Sequence, residues 1–185
     1  MVPFAEQRYG VPYLHIHRAD YHSILVEEAQ KSGVVMQLGS TITDIDFEKP
    51  SVKIKDKADF HADIIIGADG LKSVCRERLV GRPDPPHFTG DLAYRITVRR
   101  EDMLKHPELV ELAEQPQITY WLGPDSHVVC YLLKRGGLYN IVLACPDNLP
   151  ELVNTAKADL QEMRDFFQDW DPTLKALLSL SLIHI

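Results

Sequence analysis

Apolar and polar positions change their period along this chain, and the changes predict its elements. Residues 12–17 (PYLHIH) read as a short strand. Residues 20–31 (DYHSILVEEAQK) then place Ile24, Leu25 and Ala29 at helical spacing, with Gly33 just beyond as a helix stop. Residues 34–38 form a β-branched strand leading to Gly39. Residues 41–47 and 51–55 alternate apolar and polar around Glu48-Lys49-Pro50 and predict a hairpin. Residues 63–67 (DIIIG) are a continuous apolar run, as expected of a strand buried on both faces. A short helix follows over 72–80.

The segment 81–87 (GRPDPPH) carries three prolines in seven residues and is the best internal boundary. Beyond it, 91–99, 118–122, 128–134 and 138–144 read as strands, most of them joined by glycine-containing turns such as Arg135-Gly136-Gly137. Residues 103–113 have helical character. From Pro150 onward the pattern is helical again, with Leu160, Met163, Phe166, Phe167 and Trp170 spaced near 3.6. No internal repeat or low-complexity tract interrupts the chain. Mixed strand and helix first, sheet next and helix last predict an α/β or α+β architecture of two lobes. The final string, 180–185 (LSLIHI), continues no earlier pattern and matches one translation of a sequencing-adapter end. It is expected to stand outside the natural fold.

Composition narrows the function. A net charge of −7 argues against a nucleic-acid or anionic-membrane surface, since phosphate neutralisation needs clustered cations. The basic cluster Arg95 to Arg100 is short, runs straight into Glu101 and Asp102, and reads as a solvated strand end. Cys75, Cys130 and Cys145 are too few and scattered for a disulfide framework or a zinc site, and they fit a reducing, cytoplasmic compartment. No stretch approaches the roughly 20 apolar residues that span a bilayer, and the start lacks the pattern of a signal peptide. His15, His17 and His22 lie close together, but no acidic or thiol ligand completes a metal spacing. No nucleophile elbow and no Walker loop are present.

The chemistry concentrates in residues 62–76, ADIIIGADGLKSVCR. They predict a buried strand, a tight turn and a helix start. Gly67 and Gly70 let backbone approach a bound group. Asp69 sets a carboxylate at the strand's C-terminal edge, where ligands of α/β sheets bind, able to accept from sugar hydroxyls. The start of the following helix suits a phosphate. GADG alone reads more simply as a strand–turn–helix junction with Asp69 as a helix cap. The longer string resembles the "DG" fingerprint of the flavoprotein hydroxylases, G-A-D-G-x-x-S-x-x-R, matched at Gly67, Ala68, Asp69, Gly70, Ser73 and Arg76.

A second segment, His17-Arg18-Ala19-Asp20-Tyr21, opens the first helix; by itself Arg18 reads as an ordinary ion-pair partner. In context it resembles the same family's H-R-A-D-L-x-x-x-L, with Tyr21 in place of leucine and Leu25 retained. The resemblance implies that Arg18, Asp69, Gly70 and Ile42 bind FAD, with Ile42 acting through backbone at the adenine end. Tyr94, Arg95 and Tyr131 resemble the middle sheet of salicylate hydroxylase-like enzymes and are the substrate-side candidates. Leu132 departs from the Tyr-Pro pair common there, and sheet packing is the competing role for the aromatics.

The implied protein is an FAD-dependent aromatic-ring monooxygenase. NAD(P)H reduces the flavin, oxygen adds at C4a, and a phenolic or salicylate-like ring is hydroxylated, with no side-chain catalytic triad and no metal. The implied division is a partial FAD-binding, Rossmann-like lobe (1–82), a mostly antiparallel substrate-domain sheet (83–150), a helical segment (151–179) and the tail (180–185). A flavoprotein epoxidase or halogenase, or a non-catalytic protein on the same fold, are the other classes open. The ten glycines contain no G-x-G, so the first βαβ unit and its phosphate loop are missing, as is the family's later G-D-A segment. An internal fragment is the expectation. Met1–Ile185 purified alone is therefore expected to retain little or no FAD; a stoichiometric yellow chromophore surviving gel filtration contradicts this.

Overall fold

The computed structural model describes residues 3–150, 153, 155–157 and 159–183. The chain divides into two compact units, Met1–Leu25 with Gly90–Ile185, and Val26–Thr89. After helix α1 (Pro3–Tyr9), helix α2 (Arg18–Lys31) carries the chain from the first unit into the second. Its C-terminus closes as sequence suggests: Gly33 takes φ +83° and the Val34 amide returns to the Ala29 carbonyl. The hairpin forms from β1 (Ile42–Asp46) and β2 (Ser51–Ile54), paired antiparallel with Ile45 opposite Val52. Asp46 shapes its turn by accepting from the Glu48 and Lys49 amides at 2.9 and 3.0 Å. A two-residue strand β3 (Phe60–His61) extends the sheet beside β2. Helix α3 (Val74–Val80) is tied to β1 by Arg78, 3.2 Å from Asp44.

Three expected strands are not strands here. Residues 12–17, 34–38 and 63–67 run without a ladder. A strand exists only through a paired neighbour, and no described residue pairs with these stretches. The apolar run of the third is correspondingly bare, with Ile64 and Ile66 78% and 85% exposed.

The first unit is built on a four-stranded antiparallel sheet. Its strands are β4 (Asp91–Arg99), β5 (Ile118–Gly123), β6 (Ser126–Leu133) and β7 (Leu138–Pro146), in the order β4-β7-β6-β5. Register sorts the side chains by face. Tyr94, Leu143, Val128 and Trp121 form one inward row, and Ile96, Ile141, Cys130 and Thr119 the next. Helices α4 (Arg100–Met103), α5 (Val110–Glu114), α6 (Leu160–Phe166) and α7 (Pro172–Ser179) bring the other half of the core, including Met103, Leu112, Met163, Leu174, Leu177 and Leu178. Asp159 and Asp171 cap α6 and α7 by accepting from amides two and three residues on. The end of the basic cluster, read from sequence as a solvated strand end, leaves Arg99 half-exposed and also bonded to Glu101 and to buried Asp102.

Two expected boundaries change. Residues 1–25 pack with the four-stranded sheet rather than with the rest of 1–82, because His15 stacks on Tyr131 and Asp20 pairs with Lys134. The segment 151–179 is no separate body, since α6 and α7 supply side chains to the sheet's own core. Leu180 and Ser181, placed in the tail, are also buried, because a 3-10 turn continues the apolar face of α7.

Packing requires glycine at position 123. A Cβ at Gly123 would lie 2.6 Å from the ring of Trp170. Gly123→Ala is expected to cost about 1–3 kcal/mol through overpacking. The melting temperature should fall by about 2–4 °C per kcal/mol; an unchanged melt contradicts this contact.

Candidate functional site

The turn that precedes α3 is held by its own side chains. Ser73 is the N-cap: its hydroxyl accepts from the Arg76 amide at 3.0 Å and donates to Asp69 Oδ1 at 2.6 Å. Asp69 Oδ2 accepts from the Cys75 amide at 3.1 Å. Arg76 then locks the far side, its guanidinium donating to the Leu71 and Asp84 carbonyls and pairing with the Asp84 carboxylate at 2.7 Å. Asp69, Leu71, Ser73, Cys75 and Arg76 therefore form one hydrogen-bonded unit, and the helix-capping role read from GADG alone is met by Ser73 with Asp69 behind it.

This arrangement keeps Asp69 charged. The Ser73 hydroxyl and then the Cys75 amide stabilise the carboxylate and hold it down to about 2 from its ordinary 3.8. Asp69 is exposed, so part of its acceptor capacity faces solvent. Gly70 beside it takes φ +75°, and a Cβ there would meet nothing within 4 Å. A charged acceptor next to open space suits hydroxyls of a sugar or ribityl chain. Gly67 has a different use from the one expected. A Cβ on it would lie 2.9 Å from Cys75 Cβ and 3.0 Å from its sulfur, so Gly67 admits α3 and not a ligand. Ile42 opens β1 opposite Ile54, in the same unit as Asp69 and Gly70.

The remaining candidates lie in the other unit. Arg18 is exposed at the first position of α2. Two residues on, Asp20 Oδ1 lies 3.8 Å from His17 Nδ1 and 3.7 Å from Lys134 Nζ. On the sheet, alternation separates residues that were grouped together. Tyr94 is buried on the core face, whereas Arg95 and Tyr131 share the opposite face. Arg95 stands in a row with Val142, Val129 and Tyr120, and Tyr131 in the next row with Asn140 and Thr97. The His15 ring lies over Tyr131 with centroids 4.3 Å apart, and Tyr13 meets His15 edge-on at 5.2 Å. Burial pushes His15 below its ordinary 6.5. Sequence weighed His15 only as a metal ligand; its stacking role carries no spacing signal. Among the described residues no cluster of three or more His, Cys, Asp or Glu is placed to hold a metal.

No family model matches the chain. The FAD-dependent monooxygenase OpS4 of Beauveria bassiana is 39% identical over 173 residues, which are 91% of this chain and 40% of the relative. The 3-hydroxybenzoate 6-hydroxylase of Polaromonas naphthalenivorans is 37% identical, over 94% of this chain and 42% of its own length. Among solved structures, a salicylate hydroxylase in complex with substrate superposes with a TM-score of 0.72 at 28% identity, covering 89% of this chain and 43% of the other. The chain thus spans about 40% of the length of the curated relatives it matches. The resemblance to flavoprotein hydroxylases extends over nearly all of it.

The carboxylate at the turn yields a direct test. Asp69 should titrate near 2 in the folded chain when followed by carboxyl-carbon NMR. Its hydrogen bonds favour the fold above 3.8 and are lost as pH falls towards 2. Ser73→Ala should move the titration up towards 3.8; an unmoved value removes Ser73 as the principal cause.

Proposed function

We propose that this chain is part of an FAD-dependent, NAD(P)H-using monooxygenase that hydroxylates a small phenolic or salicylate-like ring. The observation that carries this is the Asp69–Gly70 turn: an ionised, exposed carboxylate beside open backbone space, within a matched six-position string. Relatives named for hydroxybenzoate and FAD-dependent oxygenation support the substrate class.

In this proposal Asp69 accepts from hydroxyls of the FAD sugar or ribityl chain, and Gly70 leaves the approach clear. Ile42 contributes backbone near the adenine, and Arg18 supplies positive charge at the start of α2. Bound flavin supplies the redox and oxygen-transfer chemistry. The protein's own tasks are to bind, to orient and to exclude water. Arg95 and Tyr131, on one face of the sheet, orient the ring and its anionic substituent, with His15 stacked behind Tyr131. Tyr94 packs the core beneath them. No helix among the described residues is long and apolar enough to cross a membrane. A reducing cytoplasmic setting agrees with three free cysteines.

The test uses the whole reading frame in which this sequence lies. Supplied with FAD, NADH or NADPH and 18O2, its product should oxidise the nicotinamide and place one labelled oxygen on salicylate or 3-hydroxybenzoate. An epoxide or a halogenated product would assign the chemistry to a neighbouring class. A product with no flavin-dependent turnover would leave only a fold.

A further inference from the structure

We propose that Asn140 determines specificity at the sheet: its side-chain amide donates to a carboxylate carried by the ring that Arg95 and Tyr131 orient. Asn140 is the new member of this site, and the assignment deepens the function proposed above, on which it rests. β7 is a central strand, lying between β4 and β6. On the face away from the core it presents Leu138, Asn140, Val142 and Ala144. Asparagine is depleted in strands, and here it interrupts an otherwise apolar row. Its Nδ2 is buried and has no hydrogen-bond partner among the described residues. A buried donor left unpaired is costly, and native structures keep few of them. The buried polar atoms of Thr119 and Tyr139 are turned by alternation towards the core, whereas the Asn140 amide lies on the face that Arg95 and Tyr131 share. Asn140 as a whole is half-buried, and its terminal torsion is broad and two-fold, so the amide can turn to meet a ligand.

Register sets what surrounds that amide. Tyr131 stands directly opposite on β6, and Thr97 directly opposite on β4. Arg95 is the diagonal neighbour, at a spacing of about 7–8 Å that long side chains bridge. Val142 and Val129 continue the row from Arg95 and offer an apolar floor. Neither row contains an acidic residue. The Arg95 guanidinium is exposed, and no carboxylate among the described residues pairs with it. An unopposed cation, an unpaired amide donor and a flat apolar strip thus meet on one face. A carboxylate supplies what both polar groups lack, one oxygen to accept from the planar guanidinium and one to accept from the amide. A bare phenol offers a single hydroxyl, which Tyr131 can serve, and leaves Arg95 unanswered. The face is therefore matched to a benzoate-type ring carrying a hydroxyl rather than to phenols at large.

Equilibrium dialysis of the protein from the whole reading frame, against salicylate and against phenol, reads this assignment. The native protein should prefer salicylate. Asn140→Leu, similar in shape but without a donor, should lower the ratio of salicylate to phenol affinity by about tenfold or more. Asn140→Asp keeps the shape and presents only an acceptor, so it should lower the ratio at least as far; it also covers the case of a leucine variant that does not fold. In turnover the loss should fall on KM for salicylate, with kcat little changed. Damage to the sheet alone would weaken both ligands together and leave the ratio where it was. No preference in the native protein, or an unchanged ratio in a folded variant, would overturn the proposal. Incorporation of labelled oxygen with that ratio unchanged would do so while leaving the proposed function standing. A fall in the ratio without any hydroxylation would do the opposite.

Discussion

The carboxylate of Asp69 is gripped at both oxygens by the start of α3, and this constraint organises the second unit around a charged turn. Ser73 serves two masters, accepting from the Arg76 amide while donating to Asp69. Arg76 then reaches across to Asp84 and fixes the proline-rich segment that follows. Gly67 lets Cys75 come close enough for the helix to start where it does. Each part is modest alone. Together they hold one exposed anion in place without neutralising it with a cation, which is what an acceptor for ligand hydroxyls requires.

A second constraint acts in the sheet. Strict alternation sends neighbouring residues to opposite faces, so Tyr94 and Arg95 cannot share a site. Tyr94 joins the helices in the core, while Arg95, Tyr131 and Asn140 lie on the other side. The helical layer leaves that second face partly open, with Tyr120 and Leu122 exposed on the edge strand β5. The sheet's core thus backs that face.

Where local signals decide structure, the sequence was legible. The hairpin around residues 48–50, the ends of β4 and the stop at Gly33 follow from alternation, turn residues and glycine. The "DG" string and its likeness to flavoprotein hydroxylases were legible for the same reason, being contiguous. Residues 12–17, 34–38 and 63–67 were misread as strands because strand pairing is a property of neighbours, and β-propensity alone cannot supply one. The stack of His15 on Tyr131 and the pairing of Lys134 with Asp20 join positions more than a hundred residues apart, and no spacing encodes them. The left-handed backbone of Lys134 and Arg135 was hidden by side chains that ordinarily avoid it.

The central claim is that the Asp69 carboxylate grips FAD. Its most direct measurement is the FAD affinity of the protein from the whole reading frame, by flavin fluorescence, with native Asp69 and with Asp69→Ala. Loss of a charged acceptor should weaken binding by about tenfold or more, at an unchanged circular-dichroism spectrum. Equal affinities in the two proteins would contradict the account.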